Sequence, residues 1–133
     1  MDIKRNDATA NRPEGDRVLD APFVFMDIEG YIDQIKEEDA WDKNDRNGIT
    51  LFKTANVTTV LTCLHKGAVI KDNVVNGLFE IQVLDGKIRV TTDAGDTEMK
   101  QGQIIVFHPE LRHTIEASKK STLLLQTIIV QQH

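Results

Sequence analysis

The sequence predicts an all-β domain built as a double-sheet jelly roll or a closed barrel. From Gly48 onward, short runs of β-branched and apolar residues alternate with turn-forming residues. The sharpest turn is Asp85-Gly86, because this dipeptide readily takes the left-handed backbone of a tight hairpin. Roughly eight hairpin-linked strands with little helix are typical of both architectures. The strands are expected at residues 49–53, 57–64, 78–84, 87–92, 103–107, 113–117 and 122–130.

Composition and charge limit the kinds of function to consider. A chain of 133 residues fits one domain, and its 40% hydrophobic and 28% charged residues are ordinary for a globular protein. The net charge of -5, with no cluster of Lys or Arg, argues against nucleic-acid binding. No run approaches the roughly 20 apolar residues of a membrane helix, so we expect no membrane partner and a cytoplasmic location. The single cysteine, Cys63, is expected to be a buried apolar residue.

The first third of the chain is expected to pack on the barrel from outside. We place the boundary between an N-terminal part, residues 1–47, and the barrel, residues 48–133. The N-terminal part begins as an extended or loose arm, continues with a short strand at 23–26, and contains one helix at 31–40 with a narrow apolar stripe. Trp41 is expected to anchor this helix on the barrel.

Two features predict a homodimer. The runs 104–107 and 123–125 are apolar on both faces, as expected of strands that pack against the interior and also against something outside it. The arm at 20–26 has the composition of a strand that adds to the sheet edge of a neighbouring copy. We therefore expect a second copy of the chain as a partner.

Three segments resemble a known family. Residues 67–75 (GAVIKDNVV) and 83–88 (VLDGKI) are similar to the first cupin motif, and residues 102–113 (GQIIVFHPELRH) are similar to the second. With its flanking residues the similarity spans 48–129 and is closest to small, single-domain bacterial cupins of the conserved-barrel type. The resemblance implies a double-stranded β-helix, the cupin form of the jelly roll.

The resemblance also implies that the usual metal ligands are missing. Metal-binding cupins carry two histidines and a glutamate on the first motif and one histidine on the second, a set that suits Fe, Mn, Ni or Zn. Counted from the motif glycines, the first three positions hold Asn73, Val75 and Phe79, and only His113 fills its place. We therefore expect no cofactor and no metal; if a metal were bound, His113 and His108 would be the candidate ligands.

The same positions define a candidate ligand pocket inside the barrel. An apolar cavity with a few fixed polar groups is the usual composition of a small-molecule site, and it is equally the composition of a plain core. No catalytic residues are assigned, because no nucleophile motif or paired carboxylates stand out. The candidate pocket residues are His113, Asn73, Val75, Phe79, Ile81, Val83 and Ile115.

Three functions remain open at this point. The first is metal-free binding of a small, largely apolar molecule in the barrel. The second is a metal-dependent dioxygenase or isomerase that uses His113 with non-standard ligands. The third is a structural homodimer whose barrel is filled and holds no ligand. Fold alone does not decide among them, because cupins carry many unrelated activities.

Overall fold

The structure is a computed structural model that describes residues 2–10 and 12–129. Strands dominate it, and the helices precede the third strand. In chain order the elements are β1 (Lys4–Asn6), β2 (Arg17–Asp20), α1 (Ile28–Glu37), α2 (Asp39–Lys43), β3 (Arg46–Lys53), β4 (Val57–Leu64), β5 (Val69–Asn73), β6 (Leu78–Asp85), β7 (Lys87–Thr92), β8 (Gly95–Lys100), β9 (Ile104–Phe107), β10 (His113–Ala117) and β11 (Ser121–Ile128). Within the described residues, no helix has the length and apolar character needed to cross a membrane.

Two antiparallel sheets form the barrel. One has four strands in the order β5-β10-β7-β8, and the other has five in the order β3-β4-β11-β6-β9. Because successive strand residues point to opposite faces, every second residue of each sheet enters the interior. Ile81 shows this register, since it pairs with Leu125 on one side and with Ile105 on the other. The expected all-β jelly roll is confirmed.

The helices cover part of the outer face of the five-stranded sheet. Asp27 caps α1 by accepting a hydrogen bond from the backbone N–H of Gly30. Ile35 of α1 and Trp41 of α2 are buried in an outer cluster with strand residues such as Leu61. This cluster also covers Leu124, so the chain's own helices supply the outside partner that the apolar faces of β11 require.

Strand β9 keeps its outer face open. It is the edge strand of the five-stranded sheet, and Ile104 and Val106 on its outer face are 53% and 55% exposed. Ile105 and Phe107 of the same strand point inward and pack in the interior. Of the two strands expected to pack against a second chain, only β9 still has an uncovered apolar face, so the expectation now concerns β9 alone.

The N-terminal arm is held by its own chain rather than lying loose. Strands β1 and β2 form a small antiparallel sheet. Between them, the Arg12 guanidinium binds the Glu38 carboxylate through both of its arms, with Nε–Oε2 and Nη2–Oε1 distances of 2.9 Å each. Arg12 Nη2 also donates to the carbonyl oxygen of Gly48 at 2.7 Å. This part of the arm is thus fixed to the end of α1 and to β3.

Three expectations about individual elements need correction. The expected strand at 23–26 is wrong: this segment has no regular secondary structure and leads into α1. Strand β8 was missed because five of its six residues are exposed, which removes the apolar alternation that marks a strand. The short helix α2 was also missed, because five residues are too few to show a period.

Candidate functional site

His113 lies inside the barrel at the start of β10. The register places it opposite Asn73 of β5 on one side and Thr92 of β7 on the other. Its side chain turns inward with the core residues of β10, and the residue is only 1% exposed. A histidine buried to this degree must place both ring nitrogens in hydrogen bonds.

Both ring nitrogens of His113 have partners. Nδ1 lies 2.9 Å from the backbone carbonyl oxygen of Leu111, and Nε2 lies 3.1 Å from the side-chain nitrogen of Asn73. A carbonyl oxygen can only accept, so Nδ1 carries the proton and donates. Nε2 then accepts from the Asn73 amide. The network therefore holds His113 as the neutral Nδ1–H tautomer.

The imidazole also packs against two phenylalanine rings. The ring of Phe107 lies 4.2 Å from the His113 ring, centroid to centroid, at an interplanar angle of 11°. The Phe79 ring lies at 5.3 Å and 18°. Since Phe79 stands where the resemblance places a glutamate ligand, an apolar ring takes the place of a carboxylate beside the histidine.

The structure brings the predicted pocket residues together, but as packed core. Ile81, Val83 and Ile115 have no measurable exposure, and Val75 is half-buried against the same cluster. Three surface pockets in the described part of the chain have volumes of about 580, 330 and 290 Å³. None of these three is lined by any of the predicted pocket residues.

Asn73 is the last residue of β5. It is half-buried, and among the described residues only its amide nitrogen takes part in a hydrogen bond. No buried side-chain oxygen or nitrogen in the described ranges lacks a partner, so the free Asn73 Oδ1 is accessible from outside. The site therefore presents one accessible acceptor above an apolar interior.

Two loops next to the Asn73–His113 pair are joined by a hydrogen bond. The backbone N–H of Glu110, between β9 and β10, donates to the carbonyl oxygen of Val75, between β5 and β6, at 2.9 Å. Glu110 and Asp72 are the two non-glycine residues with left-handed backbone in the described ranges, with φ of 65° and 51°. Such conformations cost free energy and persist only where neighbouring contacts hold them.

Two members of the site were missed from the sequence. Phe107 packs on His113 and pairs with Phe79 across β6 and β9. Parity along β9 could have identified it, because residues 105 and 107 share the inward face. Leu111 contributes only its backbone carbonyl, and no side-chain pattern signals such a role.

The residues present do not fit a cupin metal centre. Within residues 2–10 and 12–129, no three His, Cys, Asp or Glu side chains come close enough to share an ion. His113 Nε2 already accepts from Asn73, and His108 is exposed. His65 is engaged elsewhere, since its ring stacks on Trp41 at 3.5 Å and its Nε2 lies 2.7 Å from the Trp41 carbonyl oxygen. No reaction step through a metal is derived.

Cys63 plays a structural part. It is buried in the outer cluster beneath the helices, and its Sγ lies 3.7 Å from the hydroxyl of Thr122 on the neighbouring strand. Burial raises the pKa of the thiol, which disfavours the reactive thiolate. The expectation of a buried, apolar-type cysteine is confirmed.

Comparison with known proteins identifies the fold. No protein-family model and no curated protein match the sequence. Among solved structures, a cupin superfamily protein from Desulfitobacterium hafniense is similar at a TM-score of 0.63 and 17% identity, covering 65% of this chain and 80% of that one. An RmlC-like cupin from Shewanella frigidimarina is similar at a TM-score of 0.61 and 15% identity, covering 66% of this chain and 79% of that one. An RmlC-like cupin from Desulfovibrio desulfuricans has a TM-score of 0.60 and 17% identity, with 69% of this chain and 90% of that one covered.

These likenesses define the fold of this chain. The sheet order, the inward-facing core and the solved structures agree that this chain has the cupin fold, as its sequence motifs predicted. Identities at this level establish the fold alone, because one fold carries many unrelated functions.

Proposed function

We propose that this chain is a metal-free cupin that binds a small neutral molecule at the Asn73 end of its barrel. One observation carries the proposal: the hydrogen bond between Asn73 and the buried His113 fixes a polar group at the accessible edge of an apolar interior. A mostly apolar site with one or two fixed polar groups is the usual composition of a small-molecule site.

The fixed groups limit the chemistry of the ligand. Asn73 Oδ1 is an acceptor, so the ligand needs a hydroxyl or amide N–H to donate to it. Val75 and Leu111 are half-buried apolar residues of the same two loops and suit an apolar ligand body. The interior side chains already fill the space around His113, so the ligand lies among the loops rather than deep in the barrel.

The test is a titration followed by NMR. Cyclohexanol and benzamide, as neutral probes with one donor group each, are added to ¹⁵N-labelled protein while the backbone amide signals of Val75 and Leu111 are followed. We expect a saturable shift that Asn73→Ala abolishes. Asn76→Ala is the matched control, because Asn76 is an exposed residue of the loop that follows Asn73. This variant should leave the shift unchanged. No saturable response from either probe would contradict the proposal.

A second candidate is a partner-binding homodimer whose filled barrel holds no ligand. The packed interior around His113 favours it, and so does the exposed apolar surface. Phe23 and Phe25 in the segment before α1 are 85% and 84% exposed, and Ile104 and Val106 are open on β9. Large exposed aromatic residues are enriched at protein interfaces. In this case Asn73 would serve only to satisfy His113, and the probes would not bind.

A further inference from the structure

A separate pocket lies away from the barrel, between the N-terminal arm and the helices. Its volume is about 290 Å³, at the lower end of the range for small-molecule sites. Two arginines line it together with neutral donors and two carboxylates. The lining residues that matter here are Asn6, Asp7, Thr9, Arg12, Arg17 and Glu38.

The two arginines and two carboxylates of this pocket balance in formal charge, but within the described residues Arg17 is not paired directly with either carboxylate. The Glu38 carboxylate is used by Arg12, which binds it through two arms at 2.9 Å. Arg17 donates instead to two neutral carbonyl oxygens, from Nε to Thr50 at 2.6 Å and from Nη1 to Gly15 at 2.8 Å. Across the described ranges, Arg17 forms no ion pair with any carboxylate.

Arg17 is therefore a fixed cation without a direct counter-charge. Burial and the nearby charge of Arg12 lower the pKa of Arg17, and the negative charge of Glu38 offsets this only in part. Its two backbone hydrogen bonds hold the guanidinium plane in place. Nη2 of Arg17 has no partner in the part of the chain that the structure describes, so its N–H groups remain available.

Neutral donors complete the surroundings. Thr9 Oγ1 accepts from the backbone N–H of Arg12 at 3.1 Å, which leaves its own hydroxyl hydrogen free to donate. Asn6 adds a side-chain amide to the same pocket. Asp7 is exposed at the rim and opposes an anion. Guanidinium groups bind carboxylate and phosphate oxygens through paired, charge-assisted hydrogen bonds.

We propose that this pocket binds a small oxyanion, a carboxylate or a phosphate, with Arg17 as the main ligand and Arg12, Thr9 and Asn6 beside it. The pocket's volume restricts the anion to a small molecule. Because Arg12 and Thr9 belong to the arm while Glu38 follows α1, the bound anion also strengthens the attachment of the arm to the helices. The proposal is independent of the barrel site.

The test uses inorganic phosphate and acetate as probes at constant ionic strength, with sodium chloride as the reference salt. The backbone amide signals of Asn6 and Thr9, which line the pocket, are followed in ¹⁵N-labelled full-length protein. We expect a saturable shift with at least one probe, and the probe with the lower midpoint identifies the phosphate or the carboxylate class. If both probes move the NMR signals no more than sodium chloride does, the proposal is overturned.

Variants sharpen the test in both directions. Arg17→Lys keeps the positive charge but loses the planar guanidinium that donates paired hydrogen bonds to an oxyanion. We expect this variant to bind about ten-fold more weakly. Asp7→Asn removes the opposing carboxylate without touching a hydrogen bond seen in the described residues, and we expect roughly two- to five-fold tighter binding. Arg89→Lys, on the exposed face of β7, is the matched control and should change nothing. Unchanged or weaker binding by Asp7→Asn overturns the proposal even if Arg17→Lys fails to fold.

Discussion

The Nε2 atom of His113 accepts a 3.1 Å hydrogen bond from the side-chain amide of Asn73. By resemblance, Asn73 stands at the position of a metal-binding histidine, so an amide donor meets the imidazole where a cation would be shared in metal-binding cupins. This pair connects the fold to the proposed function: it satisfies a buried ring nitrogen and at the same time holds a polar group at the edge of the barrel.

The stability of the barrel should depend on this pair. Asn73→Ala leaves Nε2 of the buried His113 without a donor, and an unsatisfied buried polar group costs about 1–3 kcal/mol. Urea unfolding should show a free energy of unfolding lower by that amount. Asn76→Ala, in the adjoining exposed loop, should change it by less than about 0.5 kcal/mol. An equal effect of the two changes would mean that the Asn73 hydrogen bond does not stabilise His113.

Two glycines in turns between strands should respond differently to alanine. Both Gly86 and Gly102 have left-handed backbone, with φ of +91° and +87°. A Cβ at Gly86 would collide with Ser121 and with the carbonyl oxygen of Lys120, whereas a Cβ at Gly102 would meet nothing within 4 Å. We expect Gly102→Ala to cost about 1–2 kcal/mol and Gly86→Ala about 3–5 kcal/mol. Thermal unfolding of the two variants should rank them in this order; similar losses would contradict the packing at Gly86.

The attachment of the arm should weaken in acid. Burial alone would raise the pKa of Glu38, but hydrogen bonds from Arg12 and Asn47 and the charge of Arg12 outweigh it, so the pKa is lower than normal. The folded state then holds this proton less tightly than the unfolded state. The resulting stabilisation is present above the unfolded pKa of about 4.3 and is lost as pH falls through the lower folded pKa.

Urea unfolding at pH 7 and in steps down to about pH 3 checks this dependence on Glu38. Glu38→Gln should lower stability most at pH 7 and have less effect in acid, because the carboxylate contributes only while it is ionised. Glu37→Gln is the matched control, since Glu37 is the exposed last residue of α1, next to Glu38 in the chain. A constant difference between wild type and Glu38→Gln at every pH would rule out this origin of the stabilisation.

The homodimer prediction depends on surface that the chain leaves open. Light scattering at micromolar concentration should give about 30 kDa, twice the chain mass of 15.0 kDa. Val106→Glu places a charge on the exposed face of β9 and should give monomers. Val69→Lys, at an exposed residue of the other sheet, should remain dimeric. A mass near 15.0 kDa for the wild type would exclude the dimer at that concentration.

Strand positions could be predicted where burial leaves a pattern. The alternation of Phe79, Ile81 and Val83 located β6, because the interior accepts every second side chain. Strand β5 is absent from the strands expected from the sequence, since its residues show no alternation and most are exposed. Edge strands such as β8 carry little of this signal, because neither of their faces is buried along the whole strand.

The sequence predicted which residues form the site, but not how they pack and hydrogen-bond. The resemblance placed His113, Asn73 and Phe79 together, and the structure does bring them into contact. How tightly Phe107 packs on His113, and the use of the Leu111 carbonyl, depend on loop conformation that local sequence does not encode. The outer partner of Leu124 was equally hidden, because helices and a second chain cover an apolar strand face in the same way.

The protonation of His113 tests the account most directly. In ¹⁵N-labelled protein purified without chelator, NMR of the ring nitrogens at pH 7 should show Nδ1 protonated and Nε2 unprotonated, with a hydrogen bond from the Asn73 amide to Nε2. One equivalent of Zn²⁺ should leave both signals unchanged. An Nε2-protonated ring, or an Nε2 signal displaced by the metal, would contradict a metal-free barrel organised by the His113–Asn73 pair.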